Sequence, residues 1–278
     1  MRGVFKAGRR AVITGAAGGI GRAMACAFAA QGMRVALADL PGEALEAATT
    51  AARQASSGGE TFAGPVDLGA PDAAESLREA ALARRGGVEV LCANHVTREA
   101  KGFDAPLEAW RAAFEVNFWG VVETIRAFLP TLEAGQGPRA LVTTGSKQGV
   151  ANPPGHPIYN IAKAALKAHA EALEHELRGR PGNLSGPERL STHLLIPGWT
   201  WVREGEAPEG AWTPDQVVAE MVAAVEADRF HVLCQDGETD LAKDRARIAW
   251  AAGDLADGRP PLSRWHPDWA QAAKDAGC

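Results

Sequence analysis

The sequence predicts an α/β fold, a doubly wound parallel sheet of about seven strands with helices on both faces. Three observations predict it. Short β-rich apolar runs alternate with amphipathic helical segments from Arg10 to Asp236, the order that βαβ units require. The first run leads directly into a glycine-rich turn and then a helical pattern, so a strand, a tight turn and a helix N-terminus follow one another. Finally, 278 residues with 46% hydrophobic content suit one large domain, and no stretch demands a boundary. A single domain over 1–278 is expected, with 237–278 as an extension packing on it or on a neighbouring subunit.

The first strand, Arg10–Thr14, precedes GAAGGIG. Gly15, Gly19 and Gly21 lack a Cβ, so a pyrophosphate can approach the backbone. The helix that follows, RAMACAFAAQG, offers free N–H groups and the positive end of its dipole. Glycines alone often mark only a tight turn; the strand before and the helix after make this one a phosphate cradle. The second strand, RVALAD, ends at Asp39, eighteen residues after Gly21. A carboxylate there accepts hydrogen bonds from both hydroxyls of an adenosine ribose, whereas a 2′-phosphate would meet like charge. Neither the glycine loop nor Leu40 and Pro41 supplies a cation, so NAD is expected rather than NADP.

A helix over Glu43 to Gln54 and the turn-rich SSGGE lead to a third strand ending at Val66 and Asp67. Asp67 suits the N-cap of the next helix, PDAAESLREAALARR. VEVLCANH is the fourth strand, APLEAWRAAFEVNFWGVVETIRAFLPTLEAG one long helix, and RALVTTGS a fifth strand that ends at Ser146. After a Pro/Gly-rich loop comes the segment PIYNIAKAALKAHAEALEHEL, whose apolar positions recur with helical period. LSTHLLIPG is the sixth strand, Thr213 and Pro214 mark the start of a further helix, and RFHVLCQD is the seventh strand. A charged helix in DLAKDRARIAWAAGDLADG and a tryptophan-bearing tail complete the chain.

The helix after the fifth strand holds the only tyrosine, Tyr159, with Lys163 four residues on and therefore on the same face. A phenol titrates near pH 10, too high for proton exchange at neutrality, but an adjacent ammonium favours the phenolate. The pair makes a tunable general acid/base, and Ser146, thirteen residues upstream of Tyr159, can hold a substrate oxygen. Y-x-x-x-K by itself equally suits a packed ring and a solvated lysine. Joined to Ser146 and the TG-x-x-x-G-I-G loop, it resembles the short-chain dehydrogenase/reductase family over residues 8 to 236.

That resemblance implies a Rossmann-like sheet and an oxidoreductase. It places Gly15, Gly19, Ile20 and Gly21 on the cofactor phosphates, and Asp67 with Leu68 at the adenine. It places Asn94, Pro197, Gly198 and Thr200 toward the nicotinamide half, and has Lys163 bond the nicotinamide ribose beside Tyr159. Asn117, three residues before Gly120, matches a mid-helix asparagine whose kinked backbone leads a proton path to solvent; the implied catalytic set is Asn117, Ser146, Tyr159 and Lys163. The family's N-N-A-G is replaced here by Ala93, Asn94, His95 and Val96, which makes His95 a pocket wall or a second polar group near the substrate.

The expected function is NAD-dependent interconversion of a secondary alcohol and a ketone. A non-catalytic NAD-binding regulator on the same fold is the alternative, with the altered Ala93–Val96 stretch in its favour. A serine hydrolase is disfavoured because G-S-K-Q-G lacks the glycine of G-x-S-x-G. Trp199, Trp201 and Trp212 follow the sixth strand, which points to an apolar or cyclic substrate; these rings, with Trp265 and Trp269, suit a subunit interface equally well. No arginine cluster offers a carboxylate clamp, although Arg203 lies close.

Net charge of -5 with scattered basic residues excludes a nucleic-acid stripe. Cys26, Cys92, Cys234 and Cys278 have neither disulfide-framework nor metal spacing, so reduced thiols, no metal site and a cytoplasmic setting are expected. No run approaches a membrane span, and MRGVFKAGRR lacks a signal-peptide core. A small-molecule substrate and a homodimer or homotetramer complete the expectations.

Overall fold

The computed structural model describes residues 3–98, 102–180, 183, 186, 188–203, 205–237 and 239–278, apart from the side chain of Arg85. Its strands are β1 (Arg10–Thr14), β2 (Arg34–Asp39), β3 (Thr61–Pro65), β4 (Val90–Ala93), β5 (Arg139–Thr144), β6 (Leu190–Ile196) and β7 (His231–Leu233). They form one parallel sheet in the order β3-β2-β1-β4-β5-β6-β7. The helices are α1 (Gly19–Ala30), α2 (Glu43–Ala55), α3 (Ala73–Arg85), α4 (Leu107–Phe114), α5 (Gly120–Ala134), α6 (Gln148–Ala151), α7 (Pro157–Gly179), α8 (Pro214–Glu226), α9 (Leu241–Ala256) and α10 (Ala270–Asp275). Chain order reverses between β1 and β4, and such a reversal opens a crevice at the carboxyl ends of the strands.

The strand period sorts the core into two layers. Ile13, Val35 and Leu37 face α1, α2 and α8, whereas Val12, Ala36, Leu91 and Leu141 face α3, α5 and α7. Phe28 on the first side and Phe128 on the second are fully buried. Each contributes about 1.5–3 kcal/mol by leaving water. β5 and β6 are buried along their whole length because both faces are covered, and their sequences accordingly show no polar alternation.

The expected long helix over 105–135 is three pieces. A π-helical turn, Glu115–Trp119, separates α4 from α5, with Asn117 at its centre. The short α6 interrupts what reads as a Pro/Gly loop. Asp67 does not cap α3, which starts at Ala73; its Oδ1 accepts from the Gly69 N–H at 2.9 Å, closing a local turn. At α8 the reading holds: Thr213 and Gln216 form a reciprocal capping box ahead of a helix opening with Pro214. Among the described residues no helix is long and apolar enough to cross a membrane.

Candidate active site

The carboxyl ends of β1, β2, β4, β5, β6 and β7 open on one cleft of about 1280 Å³. β5 delivers Ser146 to its floor, and α7 presents Tyr159 and Lys163 from one face. All three are buried. The Lys163 ammonium lies 5.8 Å from the centroid of the Tyr159 ring and donates to the Thr144 carbonyl at 2.7 Å. Among the described residues no carboxylate pairs with it, so this carbonyl and the phenol are what compensate its charge.

The electrostatics of the pair follow from burial and charge. Burial alone would raise the Tyr159 phenol, but Lys163, Arg98 and the Ser146 hydroxyl together hold it below the ordinary tyrosine value. Burial pushes Lys163 down, the tyrosine pulls it back up, and Arg98 adds repulsion. Arg98 is absent from the sequence-based expectations. It donates from Nη2 to the Tyr159 hydroxyl at 3.2 Å, with its guanidinium 4.7 Å from the ring centroid. It stands four residues beyond Asn94 in a loop, where no periodicity or motif singles it out.

On the β1–β2 side, Gly18 lines the cleft, and a Cβ on it would meet nothing within 4 Å, so the turn is open there. Gly15 has φ of +64°, and a Cβ on it would lie 2.6 Å from the His95 Cα. A Cβ on Gly21 would lie 2.0 Å from the Gly15 carbonyl oxygen, so Gly21 serves helix packing and is not in the cleft wall. Gly15, Gly19, Ile20, Asp39, Asp67, Leu68 and Asn94 do line it. The Asp39 carboxylate is fixed by the Ala17 N–H and by its neighbour Leu40, both at 2.8 Å, and each oxygen keeps capacity for a further hydroxyl. Asn94 donates to the Gly15 carbonyl at 3.2 Å and accepts from Thr144 Oγ1 at 2.9 Å, tying β1, β4 and β5 together beneath the cleft. Pro197, Gly198 and Thr200 line the opposite wall past β6.

Asn117 is buried and is not among the residues that line the cleft. Its side chain clamps both backbone groups of Thr97, accepting from the N–H at 2.7 Å and donating to the carbonyl at 2.9 Å. The π turn thereby fixes the strand-end loop that carries Arg98. His95 lines the cleft wall. Its Nδ1 bonds Thr14 Oγ1 at 2.8 Å, and Gly120 makes room for the ring, because a Cβ there would lie 3.0 Å from Nε2. Burial, with repulsion from Lys163, pushes the imidazole down to about 3, and it is neutral at physiological pH.

Trp199 lines the cleft mouth, whereas Trp201 does not; its ring packs 5.7 Å from the Arg203 guanidinium. The C-terminal stretch, expected to pack on the domain or on a neighbouring subunit, supplies a cleft wall: Asp244, Arg247, Ile248 and Arg264 all line it. Lys147, next to Ser146, pairs with Asp236 at 3.0 Å and with Asp244 at 2.7 Å. The arginine cluster absent near Trp199 is thus assembled from residues far along the chain.

The family model described as short chain dehydrogenase matches residues 9–181, well over half of the chain. The protein belongs to the short-chain dehydrogenase/reductase family. One similar relative is the 1-deoxy-11-beta-hydroxypentalenate dehydrogenase of Streptomyces arenae, 35% identical over 268 residues, with 92% of this chain and 93% of the relative covered. The protein of the same description from Streptomyces exfoliatus is 33% identical over 267 residues, covering 92% and 94%. A crystal structure of a short-chain dehydrogenase/reductase from Burkholderia phymatum in complex with NAD has a TM-score of 0.80 and 27% identity, covering 92% of this chain and 97% of that one. As a short-chain dehydrogenase/reductase the chain is an oxidoreductase, and the family binds NAD or NADP. The open turn at Gly18 and the anchored Asp39 carboxylate fit such a dinucleotide.

Proposed function

We propose that this short-chain dehydrogenase/reductase interconverts a cyclic, largely apolar secondary alcohol and its ketone, using NAD. The observation that carries the proposal is the buried grouping of Ser146, Tyr159 and Lys163 in the cleft that also holds Asp39. When bound, NAD supplies the hydride acceptor for alcohol oxidation. Tyr159, held as a stronger acid than a free phenol, takes the hydroxyl proton from the substrate and returns it in the reverse direction. Ser146 orients the reacting oxygen. Lys163 keeps the phenolate favourable and would bond the nicotinamide ribose, and Asn117 would hold the widened turn beside a proton path to solvent. Asp39 reads the adenosine ribose, and the absence of a cation at Leu40 and Pro41 favours NAD over NADP.

The apolar substrate is supported by the walls Ala113, Val116, Val150, Leu233 and Trp199, and by relatives that are dehydrogenases of a hydroxypentalenate. A regulator without turnover would need neither the buried lysine nor the acidified phenol. The test is NADH formation from a panel of cyclic secondary alcohols by wild type and Tyr159→Phe. The substitution should lower kcat by about 10²–10⁴-fold, the usual worth of a general acid/base. NADH affinity, read by fluorescence, should stay near the wild-type value. Substantial turnover by Tyr159→Phe would reject the assignment.

A further inference from the structure

Among the described residues, two arginines at the tail side of the cleft have no carboxylate partner. Arg247, from α9, donates to Thr239 Oγ1 at 2.9 Å, but its Nε is buried without a hydrogen bond. Arg264 lies 4.0 Å over the Trp265 ring, and its Nη1 is likewise buried and unbonded. Among the described residues neither forms a salt bridge. Both face the cleft. Burial and repulsion from Arg247 push the Arg264 guanidinium below its ordinary value. The Cys278 thiol nearby is pushed up by burial, so it offers no negative charge at neutrality. Leaving guanidinium N–H groups dry and unpaired is costly, and a site that tolerates it is set to receive an acceptor.

Where these arginines stand limits what that acceptor is. Both line a small recess with Ala151, at the end of α6 just past β5, whereas Asp39 ends β2, three strands away in the sheet. At about 4.8 Å per strand that separation is roughly 14 Å, too far for a ribose 2′-phosphate bound at Asp39. Lys147 is already paired with Asp236 and Asp244, so the two arginines are the cations of this wall left for an anionic ligand. The space toward Ser146 is walled by Val150, Ala151 and Ile248, so the body of the ligand is apolar.

We propose that Arg247 and Arg264 form a carboxylate subsite, and that the preferred substrate is a cyclic hydroxy acid whose apolar ring spans from these arginines to Tyr159. This deepens the reading of the cleft as that of an alcohol dehydrogenase, and rests on it. The planar guanidinium fork suits the bidentate carboxylate, and a charge-assisted pair of this kind fixes which ring hydroxyl reaches the tyrosine.

The test compares a decalinol, a hydroxydecalin carboxylate and its methyl ester as substrates. For wild type, kcat/KM for the acid should exceed that for the ester by about tenfold or more, the lower end for a charge-assisted hydrogen bond. In Arg264→Gln and Arg247→Gln the ratio should fall toward one, and Arg264→Lys should keep part of it. A wild-type ratio near one, or a preference that survives both glutamine variants, overturns the subsite. A second measurement needs neither turnover nor a variant: calorimetry of decalin carboxylate, decalin carboxamide and decalinyl phosphate against the wild-type NADH complex. Tighter binding of the carboxylate supports the subsite; equal binding of the carboxamide, or tighter binding of the phosphate, overturns it. If the carboxylate binds tightly but no alcohol is oxidised, the dehydrogenase reading fails and the subsite stands. If alcohols are oxidised with an acid-to-ester ratio near one, the subsite fails and the dehydrogenase reading stands.

Discussion

Replacing Gly21 by alanine tests whether close packing of α1 on the first turn shapes the cofactor cradle. The new Cβ would lie 2.0 Å from the Gly15 oxygen, 2.8 Å from its carbon and 2.9 Å from Asn94 Nδ2. Helix and turn must part by roughly 1 Å or more to restore contact, an overpacking strain of about 1–3 kcal/mol. The same movement weakens the bond from Asn94 to the Gly15 carbonyl, now 3.2 Å, at a further cost of about 0.5–1.5 kcal/mol. At about 2–4 °C per kcal/mol, the melting temperature should fall by roughly 5–15 °C. NADH affinity, measured by fluorescence titration, should drop with it, because the displaced turn is the phosphate cradle. Gly18→Ala is the control, since a Cβ there meets nothing within 4 Å and its φ of -157° is extended backbone. If Gly21→Ala melts no lower than Gly18→Ala, the packing account is refuted.

Asp39→Ala should narrow a wild-type preference for NADH over NADPH. The expected loss of NADH affinity is about 1.5–3 kcal/mol, roughly 10–150-fold, and equal wild-type affinities in a paired titration would assign the ribose to another residue. Arg98→Leu removes a cation that helps hold the Tyr159 phenol down. Oxidation needs the phenolate and rises with pH through its titration, so the rising limb of the kcat/KM profile should move to higher pH; an unmoved limb would count against Arg98. His95 titrates at about 3 in the fold against 6.5 ordinarily. Between those values the unfolded chain holds the extra proton, so His95 contributes stability above pH 6.5 that is lost as pH falls toward 3. His95→Ala should flatten the melting temperature against pH across that window, and an unchanged slope would reject the assignment.

How much of this was legible in the sequence depended on how local each signal was. The glycine turn, the Asp39 strand end, the Tyr159–Lys163 spacing and the Thr213–Gln216 cap lie within one or two elements, where period and spacing carry the geometry. The π turn at Asn117 was legible only through the family resemblance, because the surrounding residues keep an ordinary helical pattern. Asp67 suits an N-cap and a tight turn equally, and only the distance to Ala73 separates the two. Arg98, Arg247 and Arg264 were not legible. Each meets the cleft by tertiary packing, and in the sequence each looks like any other surface arginine.

The tail is nonetheless tied to the catalytic floor by a short chain of contacts. Lys147 directly follows Ser146; its backbone N–H bonds the Pro197 carbonyl at 3.1 Å, and its ammonium reaches Asp236 and Asp244. Gly198 is required at this junction, since a Cβ there would lie 2.1 Å from Asp236 Oδ2. The wall past β6, the end of β7 and the start of α9 therefore meet at one residue beside the serine. Removing one partner from such a buried ionic cluster leaves an uncompensated charge, so the start of α9 is held to the floor of the cleft. With α9 fixed, Arg247 keeps a constant relation to Ser146 and Tyr159. The proposed ribose contact at Asp39 and the proposed carboxylate subsite at Arg247 and Arg264 would then lie on separate walls of one cleft.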